Sequence, residues 1–113
     1  MQIQMSDAGV ASRISLEGRL DTPGVTQIET RFTASIVPAG RNAVVDLSGV
    51  SFLSSMGIRM LLTVGRALKQ RNAQMVLFGA QPLVLQSLEH VGLPEIIPLA
   101  ETEAQALALL APA

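Results

Sequence analysis

The stretch that decides the fold runs from Ala43 to Leu62: A-V-V-D-L-S-G-V-S-F-L-S-S-M-G-I-R-M-L-L. Ala43-Val44-Val45-Asp46-Leu47 is a short apolar run broken only by an acid, the pattern of a central strand buried on both faces. Two serines and a glycine then interrupt the sequence where that strand hands over to a helix expected from Ser55 to Arg71. At about 100° per residue, Met56, Met60, Leu61, Val64 and Leu68 fall on one broad side, with Ile58 and Leu62 at its margins. Ser55, Arg59, Thr63, Arg66 and Gln70 group on the other.

Similar reasoning extends outward. Ile3 and Met5 alternate with polar neighbours, Asp7-Ala8-Gly9 supplies a turn, and alternation resumes from Arg13 to Leu20, so the chain opens with a hairpin. Thr22-Pro23 predicts a helix start with Thr22 as N-cap. Val25, Ile28, Phe32 and Ile36 form its buried stripe, and Pro38-Ala39-Gly40 ends it. Met75–Phe78 is a second buried strand and Ile96-Ile97 a weaker third. Between them, a helix starts at Gln81-Pro82, buries Leu85 and Leu88, and stops near Gly92. Thr102-x-x-Gln105 is a capping-box pattern opening an Ala/Leu-rich helix, with Ala-Pro-Ala expected to fray at the end. The order ββαβαβαβα predicts one α/β domain over 1–113: a mixed sheet, largely parallel, flanked by helices.

The totals narrow the chemistry. The 113 residues contain no Cys and a single His, His90. A disulfide framework, a Cys-based zinc site and a multi-histidine centre are excluded within this chain. Net charge is −1 and no basic stripe marks nucleic acid. Three Phe, with no Trp or Tyr, give little for stacking on bases or sugars. No apolar stretch approaches the roughly 20 residues of a membrane span, and no signal peptide opens the chain. The expectation is a soluble cytoplasmic domain without membrane insertion.

The serines at the helix mouth are the chemical focus. Ser is a favoured N-cap, and either Ser54 or Ser55 could satisfy an orphan N–H and do nothing more. The same place offers unpaired N–H groups and the positive end of a helix dipole, so a phosphoryl group on Ser55 would be tolerated there, with Arg59 one turn away. Met56 and Met60 suit a core, and an exposed Met56 suits an adaptable contact. Asp46 suits hydrogen bonding to loop N–H groups, without the partner acids a magnesium-dependent phospho-acceptor needs. His90, near a helix C-terminus, suits a favourable cation–dipole placement. Neither G-x-G-x-x-G nor a P-loop is present, and no catalytic dyad or cofactor motif assembles. G-x-S-x-G is also missing around Ser55, so a nucleophile elbow is unsupported.

The run from Asp46 to Gly57 resembles the signature of STAS domains, D-L-S-x-V-x-F-[hydrophobic]-D-S-[S/T/A]-G-L, with no gap. Glu17-Gly-Arg-Leu-Asp-Thr22 resembles the family's G-x-L-D segment, and Leu88-Glu-His-Val-Gly-Leu-Pro-Glu-Ile-Ile-Pro-Leu99 its third-helix ending and last strand. The resemblance implies partner switching. Such a protein binds an anti-sigma factor, usually a serine kinase, is released by phosphorylation of one serine, and is restored by a metal-dependent serine phosphatase. It implies no cofactor and leaves a homodimer open. Position by position, the phosphorylated serine is Ser55, with Ser54 second, and Asp21, Ser54, Ser55, Met56, Gly57 and Arg59 belong to the partner surface. Two positions depart from the family pattern: Ser54 stands for an acid and Met56 for a small residue. A constitutive, unphosphorylated STAS-like adaptor of a membrane transport complex is the alternative.

Overall fold

The buried run at Ala43 is the start of a longer strand. In a computed structural model of the chain, which describes residues 1–110, this strand spans Ala43–Leu53, and its length carries the chain from the sheet's centre to the candidate site. In chain order the elements are β1 (Gln2–Asp7), β2 (Ser12–Leu20), α1 (Thr22–Ile36), β3 (Ala43–Leu53), α2 (Ser55–Gln70), β4 (Met75–Phe78), α3 (Pro82–His90), β5 (Leu99–Ala100) and α4 (Glu103–Leu110). The order is the expected ββαβαβαβα. The terminal Ala-Pro-Ala lies outside the described residues.

The strands lie side by side in sequence order, β1 antiparallel to β2 and every later pair parallel. Each βαβ connection steps to the next strand in the same direction, so crossovers of one hand place α1, α2 and α3 on one face. Alternation along β3 and β4 then explains two cores. Ala43, Val45, Leu47, Met75 and Leu77 face α1–α3, where Phe32, Leu61 and Leu68 are fully buried. Val44, Val76 and Phe78 face the opposite way and are covered by Ala106 and Leu110 of α4. An ion cluster clips α4 to that face: Arg13 pairs with Glu103 at 2.6 Å and Asp46 at 3.0 Å, and also bonds Ser15. Glu103 holds the Arg13 guanidinium charged over a raised range, partly offset by burial.

Asp46 does a second job. Its Oδ1 accepts from the Ser48 N–H at 2.9 Å, as expected of an acid bonding loop N–H groups. Between Ser15↔Asp46 and Glu17↔Gly49, β3 uses one more residue than β2, and it does so again between Gly18 and Arg19. These two bulges bend and twist β3 as it approaches its carboxyl end. Burial opposes ionisation of Asp46, but the Ser48 hydrogen bonds and Arg13 outweigh it and hold the carboxyl below its ordinary value.

Four local expectations are corrected. Asp21 caps α1, not Thr22, because its extended backbone lets the carboxylate accept from the Gly24 N–H at 2.9 Å. Ile96-Ile97 is not a strand. Pro94 sits in a short 3-10 turn, Leu93–Glu95, and Ile97 is a core anchor packed against Gly65, while the strand forms at Leu99–Ala100. In α3, Val84 rather than Leu85 is buried beside Leu88. Met5 is exposed although Ile3 is buried.

Phe32 is the bulkiest fully buried side chain, in the layer between α1 and the sheet. Phe32→Ala is expected to lower unfolding free energy by about 3–5 kcal/mol, read from urea denaturation. A loss below about 1 kcal/mol would contradict this packing.

Candidate functional site

Two helix N-termini meet at the carboxyl ends of β2 and β3. The link between them is one carbonyl. Leu20, the last residue of β2, accepts from the Ser54 N–H at 3.0 Å and from the Ser54 hydroxyl at 2.8 Å. The next residue, Asp21, caps α1, and Ser54 caps α2: its extended backbone (φ −91°, ψ 170°) lets Oγ accept from the Gly57 N–H at 3.2 Å. The Ser54 hydroxyl is therefore engaged as donor and acceptor. Aspartate and serine are comparable N-caps, so serine in place of an acid leaves the helix start intact while removing a charge.

Gly57 is fixed by close approach. A Cβ there would lie 2.8 Å from the Leu20 carbonyl oxygen and 2.9 Å from both Leu20 Cγ and Leu53 Cδ1. This contact lets α2 start directly against β2. Gly57 is thus a buried support beneath the start of α2, not an exposed residue as expected of a member of the partner surface.

Ser55 is the first residue of α2 and is exposed, and its hydroxyl makes no hydrogen bond among the described residues. It borders a groove of about 350 Å³ between α2 and α3, with Leu53, Ile58, Gln86, Ser87, His90 and Val91. Met56 is also exposed, at 41 %, and is not core; Met60, one turn on, is buried. Arg59 is exposed and makes no ion pair among the described residues.

Asp21 lies on the neighbouring loop. The Gly24 N–H holds its carboxyl below the ordinary aspartate value of 3.8, against some desolvation and with help from Arg19, 3.3 Å away. Arg19 in turn stacks on Phe52, 4.5 Å from its ring centroid. Phe52 was hidden in the apolar run of the sequence. The bulge at Ser51 shifts the strand's alternation and leaves it 38 % exposed. Leu83 and Val91 of the α3 region are exposed at 74 % and 52 %; Leu83 shares a groove with Phe52, and Val91 shares the adjoining one with Ser55, neither singled out by sequence periodicity. The only available signal was topological: loops at the carboxyl ends of parallel strands converge.

His90 ends α3 as expected and also borders the Ser55 groove, which no carboxylate lines. An imidazole there lacks the orienting acid of a hydrolytic triad. Among the described residues no cluster of His, Asp and Glu could hold a metal ion, and no helix is long and apolar enough to cross a membrane.

The profile of the STAS domain family matches residues 3–106, and the chain belongs to that family. BtrV of Bordetella bronchiseptica, named as a candidate anti-sigma factor antagonist, is 30 % identical over 93 residues, 82 % of this chain and 80 % of BtrV. The anti-sigma-B factor antagonist of Listeria monocytogenes is 26 % identical over 92 residues, 81 % of each chain. Among solved structures, an anti-sigma-factor antagonist (STAS) domain protein from Planctomyces limnophilus superposes with a TM-score of 0.87 at 26 % identity, covering 96 % of this chain and 97 % of that one.

Two outcomes test this geometry. Gly57→Ala is expected to destabilise the protein even though alanine favours a helix by about 1 kcal/mol over glycine, because backbone and packed leucines must move. An unchanged or higher melting temperature would contradict the close approach. Asp21 has a folded-state pKa below its unfolded value, so its contribution is present above the unfolded pKa and is lost as pH falls through the folded one. Asp21→Asn, which keeps a cap, is therefore expected to lose less stability than wild type from about pH 5 down to about pH 3. Parallel losses in urea midpoints would contradict it.

Proposed function

We propose that this STAS domain is an anti-sigma factor antagonist that works by partner switching: it docks on an anti-sigma factor with serine-kinase activity and is released when Ser55 is phosphorylated. A metal-dependent serine phosphatase resets it. The observation that carries the reading is Ser55 itself, an exposed hydroxyl in the family register, at a helix N-terminus, next to exposed Met56 and sharing a groove with exposed Val91, with exposed Phe52 and Leu83 in the adjoining groove. The antagonist names of the relatives support it.

Ser54 and Ser55 divide the work. Ser54 is committed to the Leu20 carbonyl and the Gly57 N–H, and the hydroxyl left for a kinase is that of Ser55. Phosphorylation adds a charge of about −1.5 to −2 at pH 7 and three acceptor oxygens. At the mouth of α2 this charge is compatible with the fold, since the dipole and free N–H groups favour an anion. Within an interface of apolar side chains the same group must be desolvated, which is costly. The fold is kept and docking is lost. Met56 adds a flexible apolar side chain to the contact, a gain in area for the partner rather than a change in the core.

The test is affinity capture from the native host with Ser55→Ala and Ser55→Asp baits, bound proteins being identified by mass spectrometry. A serine-kinase anti-sigma factor is expected on the Ala bait and absent, or reduced about tenfold or more, on the Asp bait. A partner held equally by both folded baits would contradict the switch and make the surface a fixed adaptor.

A further inference from the structure

The second helix is chemically lopsided. Between Ser55 and Gln70 it carries Arg59, Arg66 and Lys69 and no acid, in a chain where acids outnumber bases nine to eight. At about 100° per residue, Ser55, Arg66 and Arg59 lie within about 40° of one line along its outer side, with Lys69 about 40° to the other side. The buried residues Gly57, Met60, Leu61, Val64 and Leu68 lie opposite. All three cations are exposed and, like Arg31 and Arg71, none forms an ion pair among the described residues, whereas Arg13, Arg19 and Arg41 each pair with an acid. Glu29 of α1 borders the neighbouring groove on the Thr63 side, off this line.

The row contributes little to folding. Arg66 and Lys69, three apart, repel on a helix surface, and Arg59 stands nearest the positive end of the dipole. A line of unpaired cations about 15 Å long from Arg59 to Lys69, at 1.5 Å per residue, is complementary to a row of carboxylates. We infer that the outer line of α2, from Ser55 to Lys69, is a docking rail for an acidic helix of the anti-sigma factor; this rests on the partner-switching reading above. Leu62, half-buried on the same line, and Met56 at its head supply the apolar contacts. The rail also gives the switch a mechanism. Phosphoserine at position 55 stands four residues before Arg59 on the same line, the spacing of a helical ion pair. It withdraws Arg59 from the partner and sets a charge of about −1.5 to −2 against a row of three cations, so the acidic helix loses a counter-charge and meets a like charge.

The experiment titrates the purified anti-sigma factor kinase of the host against wild type, Arg59→Gln/Arg66→Gln, and Arg31→Gln on α1 as a control, at about 50 mM and about 500 mM salt. The expected result is at least tenfold weaker binding by the double variant at low salt, with a flattened salt dependence, and a change within about twofold for Arg31→Gln. Equal affinity of wild type and the double variant, or equal salt dependence, overturns the rail while leaving the partner reading in place. Absence of wild-type binding at either salt overturns both. A partner-free measurement runs beside it: in protein carrying phosphoserine at 55, the Arg59 Nε–H resonance is expected to shift and gain protection from exchange while that of Arg66 stays put. An unmoved Arg59 signal overturns the proposed pairing.

Discussion

The Leu20 carbonyl oxygen takes two hydrogen bonds from Ser54 and presses against Gly57. Through this one atom the end of β2, the cap of α2 and, one residue on, the cap of α1 are held in a fixed relation. Most of the surface follows from it. The bulges of β3 bring Leu53 and Ser54 to Leu20, the missing Cβ at Gly57 lets the helix begin there, and the first residue beyond the cap has nowhere to point but outward. That residue is Ser55.

Such a scaffold suits a switch without refolding. A cap that is saturated on both sides holds its helix start whether or not the neighbouring hydroxyl is modified. A phosphate at a helix N-terminus is an electrostatically acceptable addition to the folded chain. Under the proposed switch the energetic consequence falls on the complex, where the same charge stands beside Met56 and Val91 and at the head of a cationic row. The opposite face of the sheet is spent on structure: Arg13, Asp46 and Glu103 tie α4 down.

How much of this was legible in the sequence differs from element to element, for physical reasons. The element order was legible because β3 and β4 are buried on both faces and α1 and α2 carry long apolar stripes. Ser54 as cap and Ser55 as the free hydroxyl followed from the helix register with the family resemblance. Ile97 misled because burial and strand pairing are separate properties: Pro94 makes the chain turn, so the apolar side chain is anchored from a loop. Thr22 misled because the capping side chain is chosen by backbone geometry one residue earlier, at Asp21. Phe52 drew no reading of its own, and Met56 suited either a core or an exposed contact. A bulge and a helix start respectively turn them outward, and neither feature has a period to detect. The meeting of Val91 with Ser55 in one groove, and of Phe52 with Leu83 in the adjoining one, depends on tertiary geometry alone.

The most direct test of the central claim is calorimetric titration of the anti-sigma factor with two preparations of this chain, unmodified and stoichiometrically phosphorylated at Ser55, with the backbone amide spectrum of each recorded beforehand. The account predicts amide shifts confined to the start of α2 and its neighbours, together with loss of measurable binding by the phosphorylated form. Binding unchanged by the phosphate, or shifts spread through β4 and α4, would contradict it.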